Sequence, residues 1–263
     1  MSIDVATVED GIVSITFNRP DRLNALDQDH VTALLQALEE HSAYGSTRVV
    51  ILRGAGRAFC AGLDLKDGGT VDGADDLGAV QWSMLFQRRF SDVILRLRRM
   101  APVVISAMHG ATVGAGFAMA LASDLRVAAP DAKFAVANVR IGLSGCDVGT
   151  SYHLPRLVGT NAAAELMLTG RTIDATEAEG LGICRVADDA FAAAVDLARE
   201  ITANSPFGVW MTKEVMWANV DATSLESAID REDRTQVLAS LTDDMKEAVA
   251  AFNEKRPPRY TNH

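Results

Sequence analysis

The feature that most constrains this chain is an apolar, strand-like run that breaks into small residues and then enters an alanine-rich helix. Residues 102–108 form the apolar run, residues 109–116 are mostly glycine and alanine, and a helical pattern follows through Leu121. A helix that begins in this way leaves its first backbone N–H groups without partners inside the helix. The turn can therefore hold a negatively charged oxygen.

Strand-like and helical segments alternate over the first half of the chain. Residues 11–17 and 48–53 are predicted strands, and the amphipathic stretch 27–44 between them is a predicted helix. This order favours a right-handed β-α-β crossover. Further predicted elements are a helix over 79–99, a strand over 103–108, a helix ending near 121 and a strand over 125–129. The alternation indicates an α/β protein.

Two stretches depart from this alternation. Residues 55–78 are rich in glycine and aspartate and lack a sustained period, so we predict a long loop of the kind that usually serves a site. Beyond Leu154 the pattern is helical almost throughout, apart from a short apolar run at 182–186. The C-terminal third is therefore expected to form a helical cap.

Composition narrows the possible functions. The formal net charge is −10 and no run of Lys and Arg forms a basic stripe, which argues against a nucleic-acid partner. No apolar stretch approaches the roughly 20 residues of a membrane-spanning helix, and the first residues lack a signal sequence, so we expect a cytoplasmic protein without a membrane partner. Cys60, Cys146 and Cys184 fit neither a disulfide framework nor a zinc pattern. We therefore expect no metal, and the absence of a dinucleotide fingerprint indicates no redox cofactor.

Chemistry is expected where strands end and helices begin, and two such places stand out. Residues 59–65 follow one strand and residues 113–116 follow another. Each place can offer a free N–H, and two N–H groups converging on one carbonyl oxygen would stabilise an enolate or a tetrahedral oxyanion. On spacing alone, the better-supported alternative is that these glycines only permit close packing of helix on strand.

Several motifs occur in order along the chain, and together they resemble the crotonase superfamily, which is the enoyl-CoA hydratase/isomerase family. The motifs are Asn18-Arg-Pro, Asn24-Ala-Leu, FCAGLDL at 59–65, HGATVGAG at 109–116, ASDLR at 122–126 and LTGRTI at 168–173. The resemblance runs from about residue 5 to residue 260. It implies the crotonase (ClpP-like) fold, in which stacked β-β-α turns form a core and a helical C-terminal region mediates trimers or dimers of trimers.

The resemblance also implies a domain plan and a substrate. Residues 1–263 would form a single crotonase domain, with the β-β-α core over about 1–200 and the helical oligomerisation region over about 201–263. The substrate would be an acyl-CoA thioester, and coenzyme A would arrive as part of it rather than as a cofactor. A homotrimer or homohexamer is expected.

Carried over residue by residue, the family's oxyanion hole falls on the backbone N–H groups of Leu63 and Ala115. Ala115 stands where family members usually have glycine, which is tolerable if it keeps a negative φ at its helix start. Other positions match surfaces that contact coenzyme A or the acyl group, Phe252 and Lys255 reaching from the same or a neighbouring subunit. The matched positions are Arg22, Asn24, Ala61, Gly62, Asp64, Leu65, Gly114, Ala118, Leu143, Phe252 and Lys255.

The catalytic acids depart from the standard hydratase. The two glutamates that activate water would fall on Ala118 and Asn138. Neither side chain can take up or release a proton in the usual pH range, so neither can act as a general acid or base. The remaining acidic candidate is Asp147. Some crotonase subgroups carry an aspartate close to this place that faces the acyl group, so the resemblance makes Asp147 the proposed catalytic residue, in a pocket expected to be lined by Leu63, Ala118 and Leu143. The alternative is that Asp147 caps the following helix. Asn138 would either orient a water or an acyl group, or be a hydrogen-bonded structural residue.

Three functions remain open. The first is an enoyl-CoA hydratase, in which water adds to the β carbon and Asp147 handles the proton with Asn138 as orienter. The second is an isomerase of enoyl-CoA or dienoyl-CoA, which needs only one base. The third is a protein that binds acyl-CoA without turnover. The hydratase is the leading prediction, and lipid or fatty-acid metabolism is its expected context.

The remaining candidates carry structural alternatives. Residues 67–78 and the helix after them are expected to form the acyl pocket wall, where Trp82, Met84, Leu85 and Phe86 either line the pocket or belong to the core. Asp124 is expected to fix a loop, and His153 to be a packing or interface residue.

Overall fold

Two β-sheets, one large and one small, organise the strands. The computed structural model describes residues 3–66, 71, 74 and 76–263. Its strands are β1 (Ile3–Glu9), β2 (Ile12–Phe17), β3 (Val49–Gly54), β4 (Ala58–Cys60), β5 (Val103–Met108), β6 (Ala111–Val113), β7 (Leu125–Ala128), β8 (Lys133–Ala135), β9 (Ile173–Asp174) and β10 (Arg185–Val186). The large sheet has the order β1-β2-β3-β5-β7-β10, and the small sheet has the order β4-β6-β8-β9.

The helices cover the sheets and make up the C-terminal part of the chain. They are α1 (Gln28–Glu40), α2 (Ala79–Arg99), α3 (Ala115–Ala122), α4 (Thr150–Val158), α5 (Thr160–Thr169), α6 (Ala175–Gly180), α7 (Ala190–Thr202), α8 (Pro206–Val220), α9 (Leu225–Ser240) and α10 (Asp243–Glu254). Short 3-10 helices lie at Pro20–Arg22 and Ala137–Ile141. Among the described residues, no helix is both long enough and apolar enough to cross a membrane.

The large sheet explains the continuous apolar runs in the sequence. Strands β2, β3, β5, β7 and β10 pair in parallel, and only β1 pairs antiparallel, with β2. Parallel strands are covered on both faces, so their side chains are apolar without alternation. All six residues of β5 are buried accordingly. The predicted β-α-β unit is confirmed by β2, α1 and β3.

The predicted stacking of β-β-α turns is also present. A strand of the large sheet is followed by a short strand of the small sheet and then by a helix, first as β3, β4 and α2, and next as β5, β6 and α3. Each turn therefore passes from the large sheet to the small one before its helix begins. The candidate site residues cluster where this passage ends.

Several predicted boundaries were wrong. Residues 55–78 are not loop throughout, because β4 lies within them and Leu63 forms a β-bridge with Leu26. Residues 67–70, 72–73 and 75 of that stretch lie outside the described residues. Helix α1 ends at Glu40 rather than near Tyr44. The sequence prediction also omitted β1 and the three-residue strands β6 and β8, which are too short to show a period.

Helices α8 to α10 form the C-terminal region predicted to be helical. A buried ion pair ties α8 to the core, since Nζ of Lys213 lies 2.8 Å from Oδ2 of Asp124 and 2.6 Å from the backbone oxygen of Pro102. Asp124 also accepts a hydrogen bond from the Trp217 indole at 2.8 Å. Its predicted role as a residue that fixes local structure is consistent with these contacts. In contrast, α9 has no buried residue.

Candidate active site

A cavity of about 230 Å³ lies between α2 and the ends of β4 and β6. Its wall is mainly apolar and carries three polar side chains. The described residues of this wall are Ala61, Gly62, Leu63, Leu65, Phe86, Gln87, Phe90, Val113, Gly114, Ala115, Ala137, Asn138, Ile141, Leu143, Asp147 and Val148. The cavity thus brings together both predicted oxyanion-hole residues and both predicted catalytic residues.

The backbone of Leu63, a residue of the cavity wall, keeps one N–H without a partner among the described residues. Leu26 donates to the Gly62 oxygen at 2.7 Å, and Asp64 donates to the Leu26 oxygen at 2.8 Å. Successive N–H groups of an extended chain point in opposite directions. The N–H of Leu63 therefore points away from Leu26, and no hydrogen bond among the described residues uses it.

The second backbone donor stands at the start of α3. Ala115 is the first residue of this helix, so its N–H has no partner within the helix. Gly114 precedes it with φ of 53°, whereas Ala115 is helical and is not among the residues with positive φ. The alanine at this position is thus compatible with the helix start, as the sequence analysis required.

Glycine at position 62 allows the two donor segments to approach each other. Gly62 has φ of +90°, and a Cβ added to it would lie 2.8 Å from the Val113 oxygen and 3.3 Å from the Ala115 nitrogen. A side chain there would force the segments apart. The arrangement can present two N–H groups to one carbonyl oxygen, which is the geometry that stabilises an enolate.

Asp147 faces the cavity, and two amide side chains hold its carboxylate. Nδ2 of Asn138 donates to Oδ2 at 3.1 Å, and Nε2 of Gln87 donates to Oδ1 at 2.5 Å. The alternative that Asp147 caps α4 was wrong, because the N-cap is Gly149 and no side chain caps this helix. The carboxylate is instead set as an acceptor inside the cavity.

The backbone beside Asp147 is strained. Val148 has φ of 35°, a left-handed conformation that is a genuine outlier for a β-branched residue, and Gly149 follows with φ of 81°. Such a conformation costs on the order of 1–3 kcal/mol and persists only where the surroundings enforce it. The Thr150 N–H helps to do so by donating to the Asp147 backbone oxygen at 2.8 Å.

Ala118 does not line the cavity, and this corrects the expectation that it would. It lies in α3 with no exposed surface, packed into the core. Its methyl group is therefore not available for substrate contact. Asn138 does line the cavity, from the 3-10 helix Ala137–Ile141. Asp147 is consequently the only acidic side chain among the described residues of the wall.

Helix α2 supplies an aromatic wall. Phe86 and Phe90 line the cavity with ring centroids 5.4 Å apart, and Trp82 stacks on Phe86 at 5.1 Å. Met84 and Leu85 are 52% and 36% exposed and are absent from the wall. Of the four α2 residues considered from the sequence, Phe86 alone is a cavity residue, because Met84 and Leu85 project from another side of the helix.

On the predicted coenzyme A surface near Asn24, polar side chains bind other residues of the protein. Asn24 is 1% exposed, and its amide donates to the backbone oxygens of Ala55 and Ala58. Its side chain thus holds loops together and is not available to a ligand. Nη2 of Arg22 lies 2.9 Å from both carboxylate oxygens of Asp64, which is itself 4% exposed.

Other predicted binding residues take different places. Leu65 lies on the cavity wall and is 66% exposed, and Leu143 also lies on the wall. Phe252, near the end of α10, is 83% exposed and is not a residue of this wall. Lys255 is an exposed residue directly after α10. These two C-terminal residues are not brought to the cavity of their own chain.

Two buried groups outside the wall, His153 and Cys60, are not activated as a base or a nucleophile. Burial lowers the pKa of His153 to about 4, and Arg98 adds to this effect, so the imidazole is neutral near pH 7. Its predicted packing role fits a 7% exposed side chain. Burial raises the pKa of the Cys60 thiol to about 12. No cluster of metal-ligating side chains occurs within the described part of the chain.

Gln87 is the main site residue that the sequence analysis missed. It lies next to Phe86 on α2, and no motif marks it. The available signal was positional, because Gln87 lies three residues before Phe90 on α2, and residues three apart on a helix share a face.

Comparison with known proteins agrees with this geometry. Residues 7–263 match the family described as enoyl-CoA hydratase/isomerase. A probable enoyl-CoA hydratase of Mycobacterium bovis is 39% identical over 255 residues, covering 95% of this chain and 90% of the relative. The 1,2-epoxyphenylacetyl-CoA isomerase of Escherichia coli is 35% identical over 266 residues, covering 99% of both chains.

A solved structure gives the same result for the fold. A probable enoyl-CoA hydratase/isomerase from Mycobacterium abscessus superposes with a TM-score of 0.93 at 36% identity, covering 100% of this chain and 99% of the other. Because the sequence match spans nearly the whole chain and the stacked β-β-α turns superpose on this structure, the chain has the crotonase fold and belongs to the enoyl-CoA hydratase/isomerase family, the crotonase superfamily.

Proposed function

We propose that the protein is an enzyme that moves a double bond along the acyl chain of an enoyl-CoA, with Asp147 as its single proton carrier. The observation that carries this proposal is that Asp147 is the only acid among the described residues of the cavity wall. Isomerisation needs one group that removes a proton and returns it elsewhere. Hydration in the usual form of the family would need a second carboxylate.

The proposed reaction follows from the placement of the donors and the acid. The thioester oxygen accepts hydrogen bonds from the N–H groups of Leu63 and Ala115. Asp147 removes a proton from the α carbon of a 3-enoyl thioester, and the electron pair forms a dienolate whose charge rests on that oxygen. Asp147 then returns the proton to the γ carbon, which yields the 2-enoyl thioester and restores the carboxylate. Removing one such N–H donor typically costs about 10²–10³ in rate.

Hydration is the second candidate, and one feature favours it. The amides of Gln87 and Asn138 both donate to Asp147 through nitrogen. Their oxygens are free to accept hydrogen bonds from a water beside the carboxylate, since no hydrogen bond within the described part of the chain occupies them. The M. bovis relative is named as a probable hydratase. The 1,2-epoxyphenylacetyl-CoA isomerase supports the first candidate in the same way.

The test is an NMR time course with 2-enoyl-CoA and 3-enoyl-CoA esters in deuterated water. Migration of the double bond without a new hydroxyl group supports isomerisation. A β-hydroxy product with deuterium at the α carbon would support hydration and overturn the first choice. Esters that bind and stay unchanged would support the third possibility, acyl-CoA binding without turnover.

Coenzyme A is proposed to be bound as part of the substrate, with no further cofactor. The backbone over residues 61–65 and the Arg22 guanidinium would face its adenosine end. Phe252 and Lys255 do not reach the cavity of their own chain, so we propose that they contact coenzyme A from a neighbouring subunit. The context would be lipid metabolism in the cytoplasm.

We propose that the neighbouring subunit belongs to a homotrimer or homohexamer. Exposed apolar side chains at both ends of α9 support association. Leu225 at its start is 75% exposed, Leu241 directly after its end is 73% exposed, and α9 has no buried residue. Analytical ultracentrifugation should give three or six chain masses. A monomer at micromolar concentration would contradict the proposed assembly.

A further inference from the structure

We propose that Gln87 is a positioning residue that holds the carboxylate of Asp147 in its proton-accepting orientation. This inference rests on the proposed function of Asp147 as proton carrier. The contact joins separate elements, because Gln87 lies on α2 while Asp147 lies in the loop before α4. The hydrogen bond from Nε2 of Gln87 to Oδ1 of Asp147, at 2.5 Å, spans that gap.

Two donors from different directions fix the carboxylate plane. Asn138 holds Oδ2 at 3.1 Å and Gln87 holds Oδ1, so neither oxygen can rotate away without losing a hydrogen bond. An ionised carboxylate has about four acceptor sites. Two are used here, and those that remain can face the substrate. Without Gln87, only the hydrogen bond from Asn138 to Oδ2 would restrain rotation of the Asp147 carboxylate.

The amide of Gln87 is important because no charged group in the described wall compensates the carboxylate of Asp147. Every other described residue of the cavity wall is uncharged, so no cation there compensates the carboxylate of Asp147. Arg88, Arg140 and Cys146 are sequence neighbours of the three hydrogen-bonded residues, and none of them lines the wall. The amide N–H groups of Gln87 and Asn138 are therefore the polar groups in the wall that stabilise the negative charge.

The test is a charge series at position 87, read as the pH profile of kcat/KM for whichever enoyl-CoA reaction the wild type catalyses. Q87M removes the donor, Q87E adds a negative charge, and Q87K replaces the amide by a cationic donor. We expect the acid limb to move to higher pH in Q87M, further in Q87E, and to lower pH in Q87K. In Q87M, kcat should fall about 10- to 100-fold, as expected for loss of a hydrogen bond to a charged group, with little change in KM.

The matched controls are Q81M, Q81E and Q81K, because Gln81 lies on the same helix outside the described wall. They should reproduce the wild-type profile. If the role of Gln87 is purely structural, the variants should lose activity, but the pH of their acid limbs should not follow the charge at position 87. This result would overturn the inference. So would an unchanged profile in Q87M and Q87E, with thermal unfolding confirming that both variants are folded.

Asp147→Asn separates this inference from the proposed function. If that variant is inactive while the position 87 series matches the wild type, only the role of Gln87 fails. If Asp147→Asn keeps its turnover, the proposed proton carrier is wrong and the role of Gln87 falls with it.

Discussion

Nδ2 of Asn138 lies 3.1 Å from Oδ2 of Asp147. This hydrogen bond joins a position where the family resemblance places a catalytic glutamate to the one acid in the described cavity wall. The amide thus serves the carboxylate as a donor, and it cannot itself act as a second acid or base. This relationship is why the site fits a single proton carrier better than a pair of acids.

Asn138→Asp should replace a hydrogen bond that stabilises the Asp147 carboxylate by a charge that repels it. It places a second carboxylate against Asp147, and two like charges at such a distance cannot both ionise readily. The acid limb of the kcat/KM profile should therefore move to higher pH, with a large loss of activity at pH 6. Asn138→Ala only removes the donor and should cost about tenfold in kcat. If N138D shows the wild-type profile, the two side chains do not interact in the working enzyme.

Gly62→Ala should separate the two backbone donors. The added Cβ would meet the Val113 oxygen at 2.8 Å, beside the Ala115 nitrogen. We expect kcat to fall by about 10² or more, because the oxyanion would lose at least one well-placed N–H. Gly182→Ala is the control, since Gly182 also has positive φ but a Cβ there has no neighbour within 4 Å. Equal losses of kcat in both variants would refute the role given to Gly62.

Lys213→Met should destabilise the attachment of α8. Lys213 and Asp124 form a buried ion pair with side chains 5% and 7% exposed. Removing one partner of a buried pair typically costs about 3–5 kcal/mol, and we expect the lower end here because Nη1 of Arg98 lies 3.6 Å from Oδ1 of Asp124 and offsets part of its charge. Urea denaturation should show this loss, and the double variant K213M/D124N should recover part of it. Additive losses in the double variant would show that the pair is not coupled.

His153 should make stability fall at acidic pH. Its pKa is lowered from 6.5 to about 4 in the folded protein, chiefly by burial. Between these values the unfolded chain binds a proton that the folded chain does not, so stability declines as pH falls from about 6.5 to 4. The difference in unfolding free energy between wild type and His153→Phe should therefore shrink or change sign at low pH. A pH-independent difference would contradict the burial argument.

Long elements could be predicted from the sequence because their patterns reflect burial. The α2 prediction over 79–99 matches the helix, and the β5 prediction over 103–108 matches the strand. Strands β6 and β8 could not be predicted, since each has three residues and gains its stability from neighbours distant in sequence. The edge strand β1 was missed because most of its side chains are not buried.

The candidate site was predictable in the same uneven way. Motifs located Leu63 and Ala115, because the turns that expose backbone N–H groups are rich in glycine and alanine. Asp147 was proposed because the family's two glutamates are absent and some members of the family carry an aspartate close to this place. Side-chain direction leaves no mark in the sequence, so the packing of Ala118 into the core and the reach of Gln87 to Asp147 emerged only from the structure.

The most direct test of the central claim is proton transfer from a 3-enoyl-CoA ester in deuterated water, followed by NMR for the wild type and Asp147→Asn. Asp188→Asn is the control, since Asp188 is an exposed aspartate outside the described wall. We predict double-bond migration at similar rates in the wild type and in the control. Asp147→Asn should bind the ester yet lose about 10²–10⁴ in rate. Wild-type rates in Asp147→Asn would contradict the claim that this residue carries the proton.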